Sequence, residues 1–293
     1  MSKQFIIPII QSAGLGNRIH VLINGMRITD ELFDTNNGYT IRWHSKRSDI
    51  SINDLFDLTN ENIKIIDQIE VNDNYVIPRR KPSYIKQQKL RYVLDKNTEL
   101  SLLCCCNNGF VIMEDELKYL DGILTLDGRP HNLSYLYDRT PDIFKQIYLK
   151  YFEILKPSQK INTIVDEFMQ KYFKKYTVGI HLRLGDKIVS QTRKAQYCKQ
   201  FYQYIEGEIE KNNDVIFFVS CDEEFGYERM KIRYNDKIIN YDHNYDEQQS
   251  DDITSFVCML LLSKCDKLIC GYGSTFSECA WWYGGCKDIT VVI

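Results

Sequence analysis

From residue 176 onward, short apolar runs alternate with stretches of helical spacing, and this alternation constrains the fold more tightly than any other feature of the chain. Thr177–Leu182 reads as a strand, Gln200–Glu210 as a helix and Val215–Ser220 as a nearly continuous apolar strand. Unbroken apolar character is what a parallel strand covered on both faces requires. Helix Glu223–Arg233, strand Lys237–Tyr241, helix Asp252–Lys264, strand Lys267–Cys270, helix Ser274–Tyr283 and strand Asp288–Ile293 continue the series. Such a series predicts an α/β chain built on a doubly wound parallel sheet. Ligands of such sheets sit beyond the carboxyl ends of the strands.

The first half is less regular. Phe5–Gln11 is a short β-rich run, Gly14-Leu15-Gly16-Asn17 is expected to be a tight loop, and Ile19–Phe33 carries Val21, Leu22, Ile28 and Leu32 near helical spacing. Gly25 weakens that helix or lets another backbone approach. Tyr39–Trp43 is a candidate strand, and Ser101–Cys106 and Phe110–Met113 are candidate strands around Asn107-Asn108-Gly109. Asp142–Leu155 has helical periodicity, Lys156-Pro157-Ser158 breaks it, and Ile161–Phe173 starts a new helix. The simplest architecture is two α/β halves meeting near residues 156–176, here divided into domains 1–160 and 161–293.

Composition narrows the functional classes. With 44% hydrophobic and 26% charged residues, the 293-residue chain is globular rather than disordered. A net charge of −3 lacks the basic footprint of a duplex nucleic-acid binder, so no nucleic-acid partner is expected. No run of about 18 apolar residues spans a membrane. The apolar run Phe5–Ile10 is broken by Pro8 and is too short for a leader core. The 10 cysteines include the consecutive Cys104, Cys105 and Cys106 and show no zinc-type pair spacing. Reduced, mostly buried thiols and a cytoplasmic location are therefore expected.

Four places can carry chemistry. In His181-Leu182-Arg183-Leu184-Gly185-Asp186, at the end of a predicted strand, His181 and Arg183 should project together because alternate residues share a face. The Arg183 guanidinium is a planar fork suited to phosphate oxygens. Asp186 can accept a hydroxyl hydrogen bond or orient Arg183, and the plainer alternative is a local Arg–Asp pair. Gly271-Tyr272-Gly273-Ser274-Thr275-Phe276 follows a strand and opens a helix, whose first amides and dipole can receive a phosphate. An ordinary helix cap by Ser274 fits the same residues. Gly14-Leu15-Gly16-Asn17 lacks the last glycine of the dinucleotide fingerprint and the lysine of a triphosphate loop. Asn17 can present its amide to a leaving phosphate or an acceptor, or the segment is simply a turn. Asp222 ends the strand carrying Ser220-Cys221-Asp222, where it can bind base, ribose or sugar hydroxyls or cap the next helix.

Taken in order, these segments resemble the GDP-fucose fucosyltransferase superfamily of α1,2-, α1,6- and protein O-fucosyltransferases. GLGN is similar to the glycine-rich loop of the α1,2 group, and HLRLGD to its H-x-R-x-G-D pattern. Leu260–Trp282 resembles its closing motif, and FFVSCD resembles its Phe-Ser-Asp-Asp strand end. Residues 34–150 show no such match. The resemblance implies a GT-B glycosyltransferase fold of two facing Rossmann-like domains, with the acceptor side in 1–160 and nucleotide-sugar binding in 161–293. It implies an inverting transfer of fucose from GDP-fucose to a glycan hydroxyl, with no cofactor and no metal. Arg183, Asn17 and Asp186 would be catalytic. Gly14, Gly16, His181, Asp222, Gly273, Ser274, Thr275 and Phe276 would bind the donor.

The chain also departs from that pattern. Arg18-Ile19 follows GLGN where Gln-Met is usual, Cys221 replaces the first acid of Ser-Asp-Asp, and the nucleoside-contacting Asp position falls at Cys258. Asp186, Asp222 and Glu278 all remain open as the base that takes the acceptor proton. Another nucleotide-sugar donor and a non-catalytic nucleotide-sugar-binding module are the alternative readings. An oxidoreductase built on Gly14–Asn17 is disfavoured because no clear acidic ribose binder lies about 20 residues on.

Overall fold

The computed structural model describes residues 4–8, 14–32, 38–43, 50–59, 62–66, 75–76, 123–125, 142–185, 188, 190–241 and 252–292. It divides into two compact units, Met1–Lys156 and Pro157–Ile293. The candidate strands at 101–106 and 110–113 lie outside the described residues, as does Asp186.

The first unit is built on strands β1 (Gln4–Pro8), β2 (Tyr39–Arg42), β3 (Ile63–Ile66), β4 (Tyr75–Val76) and β5 (Ile123–Thr125). They form a sheet in the order β3-β2-β1-β5-β4, with every pair parallel. Helix α1 (Leu15–Leu32) buries Ile19, Leu22, Ile23 and Met26. Their spacing marks one face of a helix turned to the interior. The short helix α2 (Ile52–Leu55) starts with a reciprocal capping box between Ser51 and Asp54. Helix α3 (Asp142–Ile154) packs near α1, and Asp30 ties the two together. Its carboxylate accepts the hydroxyls of Tyr39 at 2.8 Å and Tyr151 at 2.9 Å.

The second unit opens with α4 (Gln159–Tyr172), whose N-terminus Ser158 caps by accepting the Ile161 N–H at 3.4 Å. Its strands are β6 (Thr177–Leu182), β7 (Ile216–Cys221), β8 (Ile238–Ile239), β9 (Lys267–Gly271) and β10 (Ile289–Val292). The order is β10-β9-β6-β7-β8, again with every pair parallel. Between them lie α5 (Gln191–Lys211), α6 (Glu224–Tyr234), α7 (Asp252–Lys264) and α8 (Thr275–Tyr283).

All of β6 is buried, and its alternation explains why. Val178, Ile180 and Leu182 join a core with Cys198, Phe201 and Ile205 of α5 and Met230 of α6. On the opposite face Gly179 leaves room for Leu262, Cys265 and Leu268; a Cβ there would stand 2.9 Å from the Leu268 side chain. Helix α7 is buried continuously from Phe256 to Ser263, as a helix apolar all round must be. The chain runs from β6 to β7 and β8 on one side, then crosses to β9 and β10 on the other. The order therefore reverses at β6, and the crevice beyond the ends of β6 and β9 is the topological switch point where such sheets bind ligands.

Three expectations shift. Helix α1 begins at Leu15, so Gly16 and Asn17 lie in its first turn rather than in a loop; the Arg18 N–H already donates to Gly14 O at 3.2 Å. Helix α5 begins at Gln191 instead of residue 200, because its largely polar first turns bury Lys194 where periodicity looks for a hydrophobe. The strand expected over 237–241 shrinks to Ile238–Ile239, since Lys237 closes a 3-10 turn, Asn235–Lys237. Of the described cysteines, Cys198, Cys221, Cys258, Cys265, Cys270 and Cys279 are buried. No described helix is long and apolar enough to cross a membrane.

Candidate functional site

The switch point gathers most of the candidate residues of the second unit. His181 is the second-last residue of β6, on the face opposite Ile180 and Leu182. It is 5% exposed. Its Nδ1 lies 2.6 Å from the Ser277 hydroxyl, and its ring stacks on Phe276 with centroids 4.9 Å apart and planes 24° from parallel. β6 and α8 are thereby joined at the end of the sheet that faces the crevice.

Arg183 is the first residue beyond β6. Its Nε lies 3.2 Å from Asp222 Oδ2, and 38% of its side chain is exposed. Asp222 also accepts the backbone N–H groups of Leu184 at 2.7 Å and Gly185 at 3.1 Å. Three donors thus converge on one carboxylate. Asp222 does not cap the next helix: the residue at that position is Glu223. The pairing of His181 and Arg183 expected from strand alternation ends with β6, since Arg183 turns to the acid at the end of β7.

The β9–α8 turn is set by backbone conformation. Gly273 has φ +72°, the left-handed region that a side chain disfavours. Ser274 occupies the cap position of α8 with extended backbone, φ −100° and ψ 115°, and is 5% exposed, but its side chain does not cap the helix. The first helical bond is Glu278 N–H to Ser274 O at 3.1 Å. The amides of Thr275, Phe276 and Ser277 precede it, so they have no carbonyl within the helix to bond. Together with the helix dipole they form an anion-receiving end. The ordinary-cap alternative for Ser274 is therefore not what the structure adopts.

Ser277 and Tyr197 were not singled out from sequence, whereas Ser220, Cys258 and Glu278 were. Ser277 holds His181 and looked like one more polar residue of a helix start. Ser220, 8% exposed, makes a side-chain hydrogen bond with Cys258 of α7, and burial pushes the Cys258 thiol up to about 12. A neutral thiol and a hydroxyl therefore lie behind the end of β7. Tyr197 of α5 reaches across to β9, where a Cβ on Gly271 would overlap its hydroxyl; burial pushes this phenol well up. Glu278 is wholly buried, which removes it from the acids able to meet an acceptor. Among the described residues no cluster of three or more His, Cys, Asp or Glu side chains could hold a metal ion.

Gly14, Gly16 and Asn17 belong to the first unit. Gly14 is exposed, Gly16 is buried, and Asn17 is half-buried in the opening turn of α1. In that unit the strand order reverses at β1, which places this turn at the corresponding switch point.

The fold is one shared with fucosyltransferases of known structure. NodZ α1,6-fucosyltransferase, in a crystal soaked with GDP-fucose, matches with a TM-score of 0.59 at 13% identity over 97% of this chain and 93% of that one. POFUT1 in its apo form gives 0.59 at 13% identity over 99% and 97% of the two chains. A variant of Arabidopsis thaliana FUT1 in complex with GDP gives 0.63 at 16% identity over 98% and 70%. No protein-family model and no curated protein matches the sequence.

Proposed function

We propose that the chain is an inverting, metal-independent glycosyltransferase that moves fucose from GDP-fucose to a glycan hydroxyl. One observation carries this reading above the rest. Arg183 and the uncapped start of α8 flank the β6/β9 switch point on a fold shared with fucosyltransferase structures that hold GDP or were soaked with GDP-fucose. The motif resemblance points to the same proteins.

The chemistry follows from charge. Breaking the sugar–phosphate bond builds negative charge on the departing diphosphate. Fixed donors aimed at that charge stabilise the transition state without reorganising. Arg183 supplies one such donor group, and the amides of Thr275, Phe276 and Ser277 supply others. Gly273 lets the chain approach a phosphate, and Ser274 borders it. Buried His181 and half-buried Phe276 form a flat wall for the nucleoside. Asp222 serves the donor indirectly, by holding Arg183 and its loop.

The GT-B arrangement is part of the proposal. We assign 1–160 to the acceptor side and 161–293 to donor binding, and we keep Gly14 and Gly16 as donor-binding residues and Asn17 as a catalytic one. With Glu278 buried and both Asp222 oxygens engaged, we assign the role of base to Asp186. The buried thiols of Cys198, Cys221, Cys258 and Cys265, which form no disulfide, fit a reducing compartment, and we place the protein in the cytoplasm.

Cys258 favours a second reading, another nucleotide-sugar donor on the same site. A buried neutral thiol cannot accept the paired N–H groups of guanine as a carboxylate does. Thermal shift with a panel of nucleotide sugars in EDTA decides between them. The expected result is stabilisation by GDP and GDP-fucose. Stabilisation by a different nucleotide alone refutes the fucose assignment and keeps the transferase class. GDP binding without release of GDP from GDP-fucose, with acceptor supplied, indicates a binding module.

A further inference from the structure

Resting on that reading of Arg183, we propose that Lys194 and Glu223 are positioning residues: their partly buried ion pair, beside Asp222, locks the segment that carries Arg183 into its donor-ready geometry. The two acids are consecutive, just beyond β7, and hold opposite ends of the connection between β6 and α5. Asp222 takes the near end, the Arg183 Nε and the Leu184 and Gly185 amides. Glu223 takes the far end: Lys194 Nζ, in the first turn of α5, lies 2.5 Å from both of its carboxylate oxygens.

Gly185, at the start of the connection, lies close to both acids. A Cβ on Gly185 would stand 3.0 Å from Asp222 Oδ2 and 3.7 Å from Glu223 Oε1. Within the connection, the Ile188 N–H donates to Leu184 O at 3.1 Å, and the Lys194 N–H donates to Ser190 O at 2.9 Å. Each of these bonds fixes a local turn, but neither ties the start of α5 to the sheet. The Lys194–Glu223 pair does so.

Burial makes the pair consequential. Only 9% of the Lys194 side chain and 27% of the Glu223 side chain are exposed. Removing one partner of such a pair leaves the other charge poorly solvated, so the segment must move to reach water. Arg183 would move with it, because its position is set by the same strand end. A shift of about 1 Å in a group that meets the reacting atoms can cost about a hundredfold in rate. Lys194 and Glu223 need touch no substrate to have this effect.

A second ion pair provides the control. Arg233 of α6 pairs with Glu206 of α5 at 2.5 Å, also stapling α5 to its neighbour, but with 48% and 43% of the side chains exposed. It lies in the later turns of both helices, remote from the crevice. If helix stapling alone mattered, Glu206→Gln would imitate Glu223→Gln.

The test uses Lys194→Met, Glu223→Gln, Lys194→Arg and Glu206→Gln in the full chain, with two measurements. The first is solvent exchange of the Arg183 Nε–H by NMR, which needs no substrate. The second is release of GDP from GDP-fucose in the presence of acceptor glycan. Lys194→Met and Glu223→Gln are expected to speed Nε–H exchange and to lower kcat by about 10- to 100-fold, with KM for GDP-fucose changed less than about threefold. Lys194→Arg should retain most of the activity, and Glu206→Gln should match the wild type in both measurements. Wild-type exchange and kcat in folded Glu223→Gln would overturn the lock, as would an equal loss in Glu206→Gln. If Lys194→Met fails to fold, Glu223→Gln decides alone. If the wild type releases no GDP, the donor reading falls, and the exchange comparison still decides the lock.

Discussion

His181 Nδ1 and the Ser277 hydroxyl stand 2.6 Å apart, so a buried hydrogen bond joins the end of β6 to the first turn of α8. The contact fixes the ring that stacks on Phe276, and with it the wall of the proposed nucleoside pocket. Ser277→Ala leaves a buried imidazole nitrogen without this partner. The loss should lower unfolding free energy by about 1–3 kcal/mol. Urea denaturation measures it, and isothermal titration with GDP should show weaker binding in the same variant.

Arg183→Ala should leave the fold intact, because much of its side chain faces solvent. Transfer should fall by about 10²–10³-fold, the usual effect of deleting one fixed donor to developing charge. Arg183→Lys should recover little, since an ammonium cannot hold Asp222 through one edge and a phosphate through the other as a guanidinium fork can. Steady-state release of GDP checks both; wild-type turnover in Arg183→Ala removes the role given to this residue.

Gly271 and Tyr197 make a steric pair that a double-mutant cycle can read. Gly271→Ala places a Cβ against the Tyr197 hydroxyl and should destabilise by about 1–3 kcal/mol. Tyr197→Phe removes the atom in closest conflict and should relieve part of that loss when combined with Gly271→Ala. Additive effects in thermal unfolding would mean that the two sites do not meet.

Acid stability should depend on Glu208, at the opposite end of the sheet. Burial pushes its carboxyl up, but hydrogen bonds from Lys211, Tyr176 and Lys267 outweigh this, and the net direction is down. A carboxylate depressed in the folded state stabilises fully above its unfolded value, about 4.3, and that stabilisation is lost as pH falls through the folded value. Chemical denaturation from pH 7 down to about pH 3 should show a steeper acid decline in the wild type than in Glu208→Gln.

Much of the second unit was legible because its signals are local. The all-buried strand Thr177–Leu182 and the apolar helix Asp252–Lys264 have the bounds read from sequence, since a both-sided core makes most of their positions apolar. The first turns of α5 were missed because Lys194 is buried through a partner 29 residues away, and periodicity registers only hydrophobes. The role of Asp222 was hidden for the same reason. A strand-end acid reads as a cap or a ligand until the loop from another strand is seen lying on it. In the first unit, the glycines of GLGN suggested a loop, whereas the helix starts among them; glycine at a helix start costs little when the tertiary contacts of Ile19, Leu22 and Ile23 hold the turns that follow.

The reversal of strand order at β6 also bears on synthesis. Arg183 and Asp222 leave the ribosome with β6 and β7, but the crevice needs β9 and α8, which come roughly 85 residues after β6 and are the last of its elements to be made. A nascent chain stopped before Lys267 lacks β9 and α8, so β6 has no β9 beside it and His181 has neither Ser277 nor Phe276 to meet. On the proposed reading, chains released early should therefore be unable to bind GDP.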